Sequence, residues 1–291
     1  MEFFLELIAI WAVVLSAALH AIWNYFLKQS SEPNLFVGLS KIVEALLFAP
    51  LFFYFYQLSP FGAEQLIAVA VASLLVFLNY YFLSLTYQHL EMSLAYPISR
   101  SSTLFLPFLV WFFLGQTIDL TGAIALALIL LGVALLSTVK AQGNVGGLGQ
   151  KKTGILLALL VAFIAALQTL WAKIALNQLH PFLFFYSYTF VVALCYLAFT
   201  LKKYNVNRIK TYFELKWRPI SAVAILNTAS YMLFLFALSR GNTAYVGALR
   251  QLSLVVALLL GVWLLRETLG QRKLLGTAIV IVGSILITFA G

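Results

Sequence analysis

The chain has 291 residues, a net charge of +9, 63% hydrophobic residues and only 9% charged ones. Soluble domains carry about 25% charged residues, so too little polar surface is present to cover a soluble fold of this size, and that class is excluded. The basic residues lie between apolar runs, outside any zinc, P-loop, dinucleotide or RNA-binding pattern, so they read as topology signals rather than as a surface for nucleic acid.

About 20 apolar residues span a bilayer as a helix. Ten such runs are expected, near 4–27, 35–57, 65–87, 92–114, 118–139, 153–176, 182–201, 219–239, 243–265 and 271–290. They are continuously apolar rather than alternating, which favours helices over a barrel. The N-terminus lacks the positive stretch of a cleavable signal, so the first run is read as the first span. The single cysteine, Cys195, lies in an apolar run and can form no intrachain disulfide. Two long connections are expected, the Gly-rich Lys140–Lys152 and the basic Lys202–Arg218. The second is expected to meet anionic lipid.

The two halves echo each other at a spacing near 150 residues. Ala17 to Trp23 aligns with Ala165 to Trp171, and Leu78-Asn79 with Leu226-Asn227. Arg100 matches Arg250, and Gly132 matches Gly283. An odd number of spans per half inserts the second copy upside down. The expected fold is therefore an all-α integral membrane protein of ten transmembrane helices in two inverted five-helix repeats, 1–140 and 153–291, joined by a linker at 141–152. Thirteen of the eighteen Lys and Arg residues fall in the loops after the odd-numbered spans or, as Arg272 and Lys273, at the adjoining start of the tenth span. This places those loops in the cytoplasm and both termini outside.

A charge inside the membrane is costly, so such residues tend to face a cavity or a partner. In the first span Ser16, His20, Trp23 and Asn24 share a face, and Gln168 and Trp171 repeat the pattern in the sixth. They read either as a paired lining across the pseudo-axis or as packing and interhelical hydrogen bonds. His20 reads as a proton carrier or as a neutral hydrogen-bonding group. Glu44 is the candidate for proton or cation coupling, unless its neighbour Lys41 takes it as an intrahelical pair. Arg100 and Arg250 are candidate anion binders, because a guanidinium fork suits carboxylate and phosphate. A salt bridge to Glu44 is their alternative role. Tyr96, Tyr245 and Gln251 are added to the substrate-binding set. Pro97, Asn79 and Asn227 are candidate hinge or cavity residues, the two asparagines equally suited to tying helices together. No metal or cofactor is expected.

The segment Leu19-His20-Ala21-Ile22-Trp23-Asn24, its echo around Trp171, and the ending Leu265-Arg266-Glu267-Thr268 followed by Gly276 and Gly283 resemble the EamA branch of the drug/metabolite transporter superfamily. That resemblance spans nearly the whole chain and implies ten helices from two five-helix units. It also implies transport of small metabolites, often export of amino acids and related compounds, and termini in the cytoplasm, opposite to the charge bias. The chain departs from the family in carrying Gly115-Gln116-Thr117 where a glutamate is common, so Glu267 has no equivalent in the first half. The expected function is secondary transport of a small carboxylated or phosphonylated metabolite across the cytoplasmic membrane by alternating access, with a homodimer left open. A lipid-linked sugar flippase or a membrane-embedded lipid-modifying enzyme are the competing readings.

Overall fold

The computed structural model describes residues 2–90, 95, 98–137, 148–265 and 270–289. Its elements in chain order are α1 (Glu2–Lys28), α2 (Pro33–Leu58), α3 (Ala63–His89), a 3-10 turn (Ser101–Leu104), α4 (Leu106–Leu114), α5 (Leu120–Ser137), α6 (Leu148–Ala175), α7 (Pro181–Lys203), α8 (Val206–Arg240), α9 (Thr243–Leu249), α10 (Leu252–Leu265), α11 (Gln271–Leu286) and a final 3-10 turn (Ile287–Phe289).

The helix ends follow local chemistry. Pro33 and Pro181 open α2 and α7, where a missing N–H leaves no bond unmade. Asn205 and Asn242 cap α8 and α9 by accepting from the backbone N–H groups of Asn207 and Ala244 at 3.0 and 2.9 Å. Gly115 ends α4 at φ 62°, a conformation costly for any residue with a Cβ.

Among the described residues, six helical segments are long and apolar enough to cross a membrane: Leu7–Leu27, Pro33–Leu58, Ala63–Leu83, Lys152–Ala175, Pro181–Lys203 and Val206–Arg240. Shorter apolar helices include Leu120–Leu135 and Leu274–Leu286. Trp11, Phe108, Phe112 and Trp263 point outward, each more than half exposed. Water would not tolerate such a belt, and lipid solvates it. Phe184, Phe185, Phe234, Leu235 and Leu238 fill the interior where α7 meets α8.

The packing partners are exchanged when the halves are exchanged. Helix α1 lies on α8 as α6 lies on α3. Helix α1 also touches α10 as α6 touches α4, and α2 meets α8 as α7 meets α3. The pairs α2 with α7 and α5 with α11 map onto themselves. In the last pair the backbones nearly touch. A Cβ on Gly132 would fall 2.6 Å from Val280 Cγ2 and 2.8 Å from the Gly276 carbonyl oxygen. One on Gly283 would fall 2.9 Å from Ile129 Cγ1 and 3.0 Å from the Ala125 carbonyl oxygen. Small residues allow this close approach, on which helix association in lipid depends. Gly132→Val is expected to destabilise the chain by about 1–3 kcal/mol, the usual scale of overpacking, as a lowered midpoint in detergent-denaturant unfolding.

Three expectations from the sequence are corrected. Leu148–Lys152 were assigned to the linker, yet α6 starts at Leu148; residues 138–147 lie outside the described set. Most of the basic connection Lys202–Arg218 is helical, because α8 starts at Val206 and runs through Pro219 to Arg240. At about 1.5 Å per residue it is about 52 Å long, well beyond the roughly 30 Å hydrocarbon core. Its projecting end is held by the Arg208–Glu32 ion pair at 2.8 Å and the Ser30–Tyr212 hydroxyl contact at 2.7 Å. Finally, the fourth and ninth apolar runs are interrupted. The chain leaves α-helical form at Arg100 and resumes it at Leu106, and it turns at Arg250-Gln251 between α9 and α10. Pro107, in the first turn of α4, supports the restart.

Candidate functional site

The two interruptions bring Arg100 and Arg250 into the interior. Arg100 Nη2 lies against His20 Nε2. On the other side of the ring, Trp23 Nε1 approaches His20 Nδ1 at 3.1 Å, with the two rings edge to face.

Arg250 is held by ring faces. Its guanidinium carbon lies 4.2 Å from the Phe234 ring centre and 5.2 Å from that of Tyr231. Such contacts hold a cation without neutralising it. Its Nε is buried with no hydrogen-bond partner among the described residues. Next to it, Gln251 donates to Thr103 Oγ1 at 3.2 Å, linking the two interruptions directly.

Lys41 and Glu44 form the second polar node. Lys41 Nζ donates to Glu44 Oε2 at 2.8 Å, one turn along α2. Asn227 Nδ2 and Thr228 Oγ1, both on α8, donate to Glu44 Oε1 at 2.8 and 2.7 Å. Glu44 is 2% exposed, so both oxygens exchange water for these three donors. The pair borders a void of about 20 Å³ lined by Trp23, Val37, Ser40, Lys41, Glu44, Tyr80, Val223 and Asn227. That is space for roughly one water.

The structure thus brings together Arg100, Arg250, His20, Trp23, Glu44, Asn227 and Gln251. Arg100 and Arg250 do not take Glu44 as their ion partner among the described residues; Lys41 does. Other expected site residues fall elsewhere. Asn24 donates to the His20 carbonyl within its own helix at 2.7 Å. Trp171 donates to the Ala68 carbonyl at 2.9 Å and ties α6 to α3, so the mirrored tryptophans do different jobs. Gln168 is half-buried on α6 and does not border the void. Asn79 donates to the Val161 carbonyl at 3.3 Å as a helix tie. Tyr96 and Pro97 lie outside the described residues.

Tyr245 sits at one end of the bundle. Its hydroxyl donates to Asp119 Oδ1 at 2.8 Å, and the same oxygen accepts from the Gly122 N–H at 2.9 Å. A Cβ on Gly122 would collide with the Tyr245 hydroxyl. Beside it, Gln116 Oε1 accepts from the Thr243 N–H at 3.0 Å, which gives that glutamine a capping role. Together these contacts fasten the turn after α4 to the start of α9. The Tyr245 hydroxyl, then the Gly122 N–H, hold the Asp119 carboxyl below its ordinary value of 3.8. A depressed folded value means that the contribution is complete above the ordinary value and is lost as pH falls through the lowered one. Thermal stability measured between pH 6 and pH 2 is expected to fall at the acid end, and more weakly in Asp119→Asn.

Sequence reasoning passed over Tyr80, Thr228 and Tyr231 as site residues. The signal was present in the eighth span, where Asn227, Tyr231 and Phe234 recur at helical spacing on the face that meets Glu44 and Arg250.

A helical bundle with a lipid-facing apolar exterior and charges gathered inside it is a polytopic integral membrane protein of the transporter type. The chain belongs to the EamA-like transporter family, whose model matches it twice, at residues 7–138 and 152–289. It is also similar to an uncharacterized protein of Methanocaldococcus jannaschii, at 29% identity over 138 residues that cover 47% of this chain and 98% of that protein. A solved crystal structure shares the fold with a TM-score of 0.77 at 15% identity, covering 99% of this chain and 98% of its own.

Proposed function

We propose that this protein is a secondary transporter that moves a small polar metabolite bearing a carboxylate, phosphate or phosphonate across the cytoplasmic membrane by alternating access. One observation carries the reading: Arg100 and Arg250 stand at matched interruptions in the two halves, and the Gln251–Thr103 hydrogen bond joins those interruptions inside the bundle. Two fixed cations at joined interruptions of a low-dielectric interior favour an anion between them. Interrupted helices at corresponding positions also mark the midplane site of inverted-repeat transporters. On this reading Lys41 and Glu44 neutralise each other, and the anion is met by the arginines. Ten spans, in inverted halves at 1–140 and 153–291, fit the exchange of packing partners between the halves.

The void beside Glu44 is too small for a metabolite, so the halves must part to admit one. The latch of Asp119, Tyr245, Gln116 and Thr243 closes one end in this arrangement. The ion pair Arg208–Glu32 and the contact Ser30–Tyr212 bridge the halves at the other. The loops at that second end carry most of the basic residues, so it faces the cytoplasm and its exposed lysines and arginines meet anionic headgroups. Export is the preferred direction.

The test is uptake of radiolabelled amino acids, organic phosphates and phosphonates into proteoliposomes containing the purified chain, with and without a proton gradient. Saturable, counterflow-competent transport of an anionic or zwitterionic solute is the expected result. Transport confined to cationic solutes, or chemical conversion of a lipid without transport, would sink the proposal.

A further inference from the structure

His20 receives two donors that it cannot serve together. Trp23 Nε1 lies 3.1 Å from Nδ1, and Arg100 Nη2 lies against Nε2. An indole N–H and a guanidinium only donate. A neutral imidazole accepts at one nitrogen and donates at the other, while an imidazolium donates at both. In every protonation state, therefore, at least one neighbour faces an N–H instead of a lone pair.

We propose that His20 is a positioning residue whose tautomer reports the occupancy of the anion site to Trp23, so that anion binding fixes the wall of the void beside Glu44. The inference rests on the reading of Arg100 as part of the anion site. With the site empty, the charged guanidinium is the stronger donor and claims Nε2. The imidazole hydrogen then sits on Nδ1, opposite the Trp23 indole N–H, and the tryptophan is not held. An anion that engages Arg100 draws the guanidinium off Nε2. A proton leaves Nδ1 to water, and another arrives at Nε2 from water, so the ring stays neutral. Nδ1 now accepts from Trp23, and Nε2–H is free to donate toward the anion in place of the departed guanidinium. Trp23 borders the void together with Lys41 and Glu44. Its capture by His20 therefore transmits binding from the interruption before α4 to the interface of α1, α2 and α8.

The chain has three histidines. His89→Gln with His180→Gln leaves His20 as the sole source of imidazole signals in chain labelled with ¹⁵N-histidine and reconstituted in lipid. If that pair impairs folding, the His20 signals are assigned in the otherwise unaltered chain by their loss in His20→Asn. Nitrogen shifts separate a protonated ring nitrogen from a bare one. The expected ligand-free state has hydrogen on Nδ1 and a bare Nε2. Arg100→Ala is expected to reverse the two, and Trp23→Phe to leave the ligand-free state as it was. Inorganic phosphate and acetate are then titrated, with binding followed separately as an Arg250-dependent rise in thermal stability. The expected result is the same reversal along the binding curve. An unchanged tautomer in Arg100→Ala, or two protonated nitrogens, overturns the proposal. Binding of either anion without reversal overturns the coupling and leaves the anion site standing. No Arg250-dependent binding of either anion overturns both.

Discussion

Arg250→Ala is expected to lower anion transport by about 100-fold at subsaturating substrate while leaving the fold in place. A charge-assisted hydrogen bond is worth roughly 1.5–3 kcal/mol, and a forked contact makes two, so losing about 2.7 kcal/mol of substrate binding corresponds to ~100-fold in affinity. The fold survives because Arg250 rests on Phe234 and Tyr231 and takes no carboxylate as partner among the described residues. Removing it forfeits a cation–π contact of about 0.5–2 kcal/mol and strands no opposite charge. Arg250→Lys is expected to fall between, with a loss of roughly 10-fold, because an ammonium keeps the charge and gives up the fork. Initial rates in proteoliposomes across a substrate series, together with melting of each variant in the same detergent, separate the two effects. Wild-type rates in Arg250→Ala would remove this residue from the site.

The second large effect is on stability. Glu44→Leu is expected to cost about 3–5 kcal/mol, the scale seen when one partner of a buried ion pair is removed. The change leaves the Lys41 ammonium and the donors Asn227 and Thr228 facing an alkyl group in a site where Glu44 is 2% exposed. The double change Lys41→Leu with Glu44→Leu is expected to recover more than half of that loss, since replacing a whole buried pair by apolar side chains is often close to neutral. A double-mutant cycle in chemical unfolding measures the difference directly. Equal instability in the single and double variants would show that the donors on α8, and not the lysine, account for the cost. If Glu44 carried a coupling proton, Glu44→Gln would abolish gradient-driven uptake and spare counterflow, a pattern that the stability measurement alone does not produce.

The long spans were legible because a continuous apolar run of the right length leaves few alternatives, as in α2, α3 and α7. The interruptions were not. Both runs turn apolar again a few residues beyond Ser101-Ser102-Thr103 and Gln251-Leu252-Ser253, and hydropathy does not register a change from α-helical to 3-10 hydrogen bonding. The basic stretch before Pro219 misled for the opposite reason. Its charges exclude it from lipid, yet nothing in it breaks a helix, and the Asn205 cap starts α8 there. Residues of the candidate site were legible when their type alone made them costly to bury, as with Arg100, Arg250 and Glu44. They were not when the partner decided the role. Trp23 and Trp171 occupy matching positions, but one faces a histidine and the other a backbone carbonyl of α3. Tyr245 was added to the substrate-binding set, whereas Asp119 holds its hydroxyl at the end of the bundle.

The crossing of α5 and α11 has a genealogical consequence. Gly132 lies against Gly276 and Val280, and Gly283 lies against Ala125 and Ile129, so each contact repeats with the roles swapped. A chain carrying a single such half would already own both sides of this seam and could meet its own twin without inventing a new surface. In that ancestor one codon change would have altered both contacts at once. Fusion of two copies into one gene separates them, and from then on each side of the seam is free to diverge.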